Sequence, residues 1–556
     1  MPLALRWLLL LQLLVAPAIA AAQDAKTVRV FVFAGQSNMV GSDSRAADVV
    51  NFPPFAQAAE PQPQVRFWYV IGREDKAKSD GWTELQPVNG IVGPELSFAR
   101  EVAADGPGPI AIVKVAAGGT TLATDWDPDK PEGFQLYPLA LATVREALAA
   151  LDAKHVKWRL EGFMWHQGEN DMFDDGARAS YAENLARFLA CWRRDLEAPA
   201  LRFYIGELCT KTIWGMDNRI PMQEIAIAQQ LVAANDPLAD YVRTSHVGVE
   251  IGEPVGLHYH YGTLGQLEHG VEYARAYLES LGRGDRTVRP LSSWPYAEGA
   301  TVDLYVLAGH RNMEGEVAFV QQLDAVKGGR ELRKHRGAVA YRYSTGGGMR
   351  VSDGWEPLGP TGLYDTFGPE LSFGRALAGR RGAAVALAKF THSGSQIVDW
   401  TPAGSATHGR DLYGPFVAFV RESIADLRGR GHPVRLAGIV YHLGENDACF
   451  GPHRRKAVEW LGELIAATRK DLEAPELRWF VSQQKPTDRE GLGAIDVTGA
   501  LRALAARDPN VFHVECFEPP PQKQALVLDA AGIVWLGERL AEAVRRAEAV
   551  RGAEER

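Results

Sequence analysis

The strongest constraint on this 556-residue chain is that it repeats itself. FVFAGQSNMVG at 31–41 returns as YVLAGHRNMEG at 305–315, and GPELSF at 93–98 recurs unchanged at 368–373. WHQGEND at 165–171 becomes YHLGEND at 441–447. RRDLEAPALRF at 193–203 becomes RKDLEAPELRW at 469–479, and GQLEHG at 265–270 aligns with GIVWLG at 532–537. The order is the same throughout, so a whole domain is duplicated rather than a short solenoid unit. Length agrees, because one hydrophobic core rarely serves so long a chain. The division expected is 1–22 as a signal peptide, 23–282 as a first domain, 283–295 as a linker rich in charge, Ser and Pro, and 296–550 as a second domain.

Within the first copy, short β-branched and aromatic runs at 28–34, 110–115, 160–165, 201–205 and 241–247 read as buried parallel strands. Between them, 95–104, 139–151, 177–196, 221–234 and 265–281 carry helical spacing. Alternation of this kind predicts two tandem α/β domains. Each is a three-layer α/β/α sandwich around a mostly parallel sheet of about five strands. Ligands bind at the carboxyl ends of such strands.

The N-terminus sets an expected compartment. Arg6, an apolar run from Trp7 to Val15 and alanines at 18, 20 and 22 follow the order of a secretory signal peptide. The run is shorter than the ~20 residues that span a bilayer, so a secreted or periplasmic protein without an integral membrane segment is expected. The formal charge of −9 argues against nucleic acid as partner. Cys191, Cys209, Cys449 and Cys516 show neither CxxC spacing nor a zinc pattern, although an exported chain could pair them.

Ser37 directly follows the first strand, where a turn towards a helix exposes its hydroxyl and frees its N–H to hold an oxyanion. Position alone is weak, since Ser and Asn after Gly are also ordinary turn and cap residues. The full set is specific. Ala-Gly-Gln-Ser-Asn-Met-x-Gly, the later Trp-His-Gln-Gly-Glu, and a late histidine with glycines at +5 and +10 resemble the SGNH hydrolase superfamily. Within it they resemble the sialate O-acetylesterase / carbohydrate esterase family 6 branch. The likeness covers about residues 27–282 and implies a flavodoxin-like SGNH fold, a cofactor-free carbohydrate acetylesterase activity, and Ser37 as nucleophile.

The resemblance further implies His260 as base, since Gly265 and Gly270 stand at its +5 and +10; His258 is the alternative. His246 matches His513, and counting on by one interval from each reaches His260 and Val527, so the second copy is apolar where the base should be. A metal site at this His-x-His pair is not expected, for no carboxylate or Cys cluster accompanies it. The usual Asp three residues before the histidine is Leu257 here. Glu169 of the His-Gln-Gly-Glu motif is the expected substitute, with Glu250 or Glu253, or no acid at all, as alternatives. The oxyanion hole is expected from the Ser37 N–H, a glycine N–H at 118 or, by preference, 119, and the Gln167 amide. Trp68, Tyr69, Trp82, Trp126, Tyr137 and Trp214 are candidate sugar-stacking residues in loops.

In the second copy Ser37, Gln167 and His260 become Arg311, Leu443 and Val527. That half should fold without catalysing. It either packs against the first or offers a cleft for a glycan, with Arg311 pairing Glu445 or a ligand carboxylate. The reading is therefore a serine esterase acting on an acetylated carbohydrate. A non-catalytic carbohydrate-binding protein and a sugar O-acyltransferase are the rivals.

Overall fold

The computed structural model describes residues 26–106, 108–208, 212–213, 216–247, 260–283, 289–378, 384–405, 410–449, 451–486, 491–523 and 526–554. The signal segment, His258, Glu250, Glu253, Cys209 and Trp214 lie outside them. Both copies are α/β units built on a mostly parallel sheet. In the first, β1 (Val28–Gly35) lies between β5 (Ile110–Ala116) and β6 (Trp158–His166), parallel to both. β2 (Gln62–Ile71) flanks β5, while β7 (Phe203–Gly206) and β10 (Ala239–Val242) continue beyond β6. The short antiparallel β3 (Ala77–Lys78) and β4 (Thr83–Leu85) pair with β2, completing eight strands rather than about five. The second sheet repeats this order around its own central strand, β11 (Val302–Gly309). Even the register slip recurs, between Val30 and Phe31 and between Leu304 and Tyr305.

Apolar side chains on the two faces of the first sheet form separate cores. One holds Trp126, Trp165, Phe188 and Trp192; the other holds Phe31, Phe33, Phe98 and Tyr277. Helices sheathe both faces, giving the three layers expected. Leu291 and Trp294, read as linker, pack against the core of the second domain. Because β1 has parallel neighbours on both sides, the chain leaves its carboxyl end at a topological switch point, where α/β sheets place their ligands. Ser37 begins there.

The recurrent GPELSF has a structural explanation. Its Glu95 is buried and accepts a hydrogen bond from Lys114 Nζ (2.7 Å), which also donates to the Val40 carbonyl (3.2 Å). Glu370 and Lys389 repeat the pair at 2.8 Å, with Lys389 reaching the Glu314 carbonyl (3.1 Å). Burial pushes the Lys114 amine down, against the opposing pull of Glu95. Ser97 Oγ donates to the Leu267 carbonyl (2.6 Å). A Cβ on Gly270 would stand 2.1 Å from the Pro94 carbonyl oxygen, so this glycine lets the helix Gly262–Ser280 lie against the helix Glu95–Asp105. Removing one partner of a buried ion pair strands the other charge, at about 3–5 kcal/mol. Glu95→Leu is therefore expected to lose about that much in urea unfolding, whereas Glu95→Leu/Lys114→Met should recover most of it.

Candidate active site

Beyond β1, Gln36 N–H donates to the His166 carbonyl (3.0 Å) and Ser37 opens a single helical turn, α1 (Ser37–Val40). As a first helical residue, Ser37 directs its N–H away from the intrahelical ladder. Its side chain is nearly covered, at 8% exposure. Gly118 is the residue packed against it: a Cβ there would lie 3.4 Å from Ser37 Cβ. The preferred Gly119 instead has a left-handed φ of 71° and faces Arg73 and Asn170, so Gly118 rather than Gly119 packs on Ser37.

His260 arrives from the other side, just before the helix Gly262–Ser280. Its successor Tyr261 donates its N–H to Asn38 Oδ1 (3.2 Å), tying the histidine segment to the residue after Ser37. His260 Nδ1 lies 2.6 Å from Asp43 Oδ2. Asp43 sits in the left-handed region at φ 63°, which Asp tolerates better than most residues and which often marks a functional turn. A carboxylate on Nδ1 holds the ring with its proton there and leaves Nε2 as the basic nitrogen.

Glu169, the acid expected to orient the histidine, is engaged by other residues. Glu169 Oε1 accepts from Asn38 Nδ2 (2.6 Å) and lies 3.3 Å from His166 Nε2, deep beneath the turn. Burial alone would raise its carboxyl, but His166 and the bond from Asn38 outweigh it and hold it below the ordinary range. The second copy keeps this unit. Glu445 Oε1 lies 3.3 Å from His442 Nε2 and accepts the Asn312 N–H (3.2 Å), in a domain with neither serine nor histidine to serve. Its position in both copies is that of a brace.

The Gln167 amide, expected as an oxyanion donor, has other partners. Its amide nitrogen faces Gln36 Oε1 (3.2 Å), the Thr120 carbonyl (2.9 Å) and the Asp171 carboxylate, so its donors are engaged inside the fold. Burial, only partly offset by these bonds, raises the Asp171 carboxyl to about 6. The change to Leu443 follows a paired one: Gln36 is replaced by His310, which turns to the Tyr441 hydroxyl (2.7 Å). Asn170 Oδ1 accepts from Gln36 Nε2 (3.3 Å), which fixes the side-chain amide with its nitrogen on the Gly119 side.

The second copy fills the equivalent positions differently. Val317 stands in place of Asp43 and packs against the small cluster of Leu526 and Val527, the latter in place of His260: where the first copy pairs an acid with an imidazole, the second is apolar. Arg311 does not reach for Glu445; its guanidinium forms a buried, bidentate ion pair with Glu316, Nε to Oε2 at 2.7 Å. The Ser393 N–H, at the place of Gly118, is taken by Glu314 Oε2 (3.1 Å).

A family model described as carbohydrate esterase, sialic acid-specific acetylesterase matches residues 27–279 and again 301–546. The chain belongs to this carbohydrate esterase family. Membership covers both copies and carries esterase activity on carbohydrate as a class. A probable carbohydrate esterase of Arabidopsis thaliana is 24% identical over 276 residues, 46% of this chain and 91% of that one. A solved Arabidopsis thaliana structure is 22% identical, covering 45% of this chain and 98% of its own, with a TM-score of 0.35. A carbohydrate acetylesterase structure from Xanthomonas citri is 20% identical over 49% of this chain and 61% of its own, with a TM-score of 0.33.

The aromatic residues proposed to stack on sugar lie elsewhere among the described residues. Trp126 is buried edge-on against Trp165, and Tyr137 sits within the helix Leu136–Asp152. Trp68 and Tyr69 belong to β2, with Trp82 packed on Trp68. Cys191 and Cys516 are free and buried. No described helix is long and apolar enough to cross a membrane.

Proposed function

We propose that the first domain is a serine carbohydrate acetylesterase in which Ser37 is the nucleophile, His260 the base and Asp43 the acid that orients it. His260 Nε2 takes the Ser37 proton as Oγ attacks the acetyl carbonyl, and the sugar hydroxyl leaves with that proton. Water, deprotonated by the same imidazole, then releases acetate and restores the serine. The oxyanion is held by the N–H groups of Ser37 and Gly118 and the Asn170 amide, fixed donors in a largely dry site. The observation that carries this reading is the Asp43–His260 pair beside the nucleophile turn, absent from the copy that has also exchanged its serine for arginine.

The second domain is non-catalytic in this proposal, because its equivalent groups are consumed internally by Arg311–Glu316 and Glu314–Ser393. Its degenerate loops give no support to a glycan cleft there. The chain is exported through its N-terminal segment, with cleavage after Ala22 or Ala20, which N-terminal sequencing of the mature protein checks. The active-site proposal is tested by a fluorophosphonate reagent followed by peptide mass spectrometry. One adduct, on the peptide carrying Ser37, is expected alongside hydrolysis of an aryl acetate. An active protein whose Ser37 stays unmodified under that reagent refutes the assignment. Comparing O-acetylated sialic acid with acetylated xylan then fixes the sugar.

A further inference from the structure

The second domain meets the first through its own degenerate site, and what it grips is the strand exit that supports His260. The Ser393 hydroxyl donates to the His246 carbonyl, and Arg410 donates to the Ser245 carbonyl (3.3 Å) and to that of Gly394. Gly394 lies so close that a Cβ on it would stand 1.7 Å from the Ser245 carbonyl oxygen. One turn away, the Tyr364 hydroxyl donates to Glu272 Oε1 (2.6 Å) and lies 2.9 Å from His246 Nε2, the three side chains all buried. Arg243 reaches across to the Gly347 carbonyl (2.9 Å).

From this grip a continuous path leads to the base. Glu207 Oε2 accepts the N–H groups of Thr244 and Ser245, each at 2.8 Å, clamping the segment from the first domain's side. Thr244 Oγ1 is 2.8 Å from the Tyr261 hydroxyl, and Tyr261 packs on Val247. Tyr261 is the residue after His260 and donates its backbone N–H to Asn38 beside the nucleophile. Every link is a packed or hydrogen-bonded contact. Displacing Ser245 and His246 therefore shifts Tyr261, and with it the imidazole relative to Ser37.

We infer that the degenerate domain is a positioning platform for the catalytic histidine of the first, with Tyr364 and Gly394 as positioning residues that touch no substrate. The loss of its own chemistry and its new task share one surface: the loop that would have supplied an oxyanion donor, Ser393–Gly394, now braces the neighbour's base. A misplacement of about an ångström from a distant change can cost about 10²-fold in rate.

This inference rests on Ser37 and His260 being the catalytic pair, and its test separates the two. In the full chain, Tyr364→Phe and Gly394→Ala are expected to lower kcat on an aryl acetate about 10- to 100-fold per folded molecule, with KM changed less than about twofold; both variants lose some stability, so the rate is read at a temperature where the protein remains folded. Fluorophosphonate labelling of Ser37 should slow in parallel, because it too needs the aligned base. Lys523→Ala, which removes a peripheral interdomain contact to Asn51, should leave kcat unchanged. Wild-type kcat in both Tyr364→Phe and Gly394→Ala overturns the inference, as does a loss that merely follows the unfolded fraction. If Ser37→Ala retains activity, the active-site proposal itself has failed; if Ser37→Ala is inactive while the interface variants match wild type, only the platform has.

Discussion

Ser37→Ala should lower kcat/KM for an aryl acetate by about 10⁴- to 10⁶-fold while leaving the protein folded and able to bind its sugar. The side chain sits at the switch point of the sheet with 8% of its surface exposed, so removing one oxygen leaves only a small void. What is lost is the covalent route. The residual rate reflects oxyanion stabilisation and substrate binding acting on water, which in serine hydrolases survive loss of the nucleophile. The second domain supplies no reserve, for its equivalent position is an arginine already committed to Glu316. Activity within about tenfold of wild type in Ser37→Ala would exclude this serine as the nucleophile.

Asp43→Asn is the second large effect, expected at about 10³- to 10⁴-fold in kcat with little change in KM. An asparagine amide turned towards Nδ1 of His260 favours the wrong tautomer and directs a protonated Nε2 at the serine. Asp43→Ala should be milder. The Asp43 side chain is 53% exposed, so water can take its place at Nδ1 without dictating the tautomer. Asparagine worse than alanine is the signature of an orienting acid. Glu169→Gln should behave differently: the buried bond from Asn38 and the contact with His166 weaken, so stability falls and activity declines with it. If Glu169→Gln abolishes kcat at unchanged stability while Asp43→Asn does not, the two roles must be exchanged.

Much of the fold was legible because its periods are clean. The helices expected at 95–104, 139–151, 177–196, 221–234 and 265–281 are found at 95–105, 136–152, 175–195, 219–235 and 262–280. β2 escaped because Gln62, Pro63, Gln64 and Arg66 dilute its apolar signal; its burial comes from β5 and the flanking helices, a tertiary effect. Motif and repeat together singled out Ser37. The acid was expected at Glu169, or else at Glu250 or Glu253, whereas the carboxylate found on His260 Nδ1 is Asp43, in the loop six residues after the serine. The signal lay in the duplication all along: Asp43 and His260 both become valine in the second copy. Gln167→Leu443 is accompanied by Gln36→His310, the residue whose side chain Gln167 faces in the first copy, so the exchange also follows internal packing.

The Arg311–Glu316 pair also gives the duplication a direction in time. Restoring serine at 311 would leave the Glu316 carboxylate buried without its counter-ion, a penalty of about 3–5 kcal/mol before any activity returned. Restoring the acid and base would further place two polar groups in the small apolar contact of Val317 with Val527. Each single step back lowers stability and yields no esterase, so simple reversion is blocked at every first move. If the first domain alone is the esterase, these internal contacts act as a ratchet on the second copy.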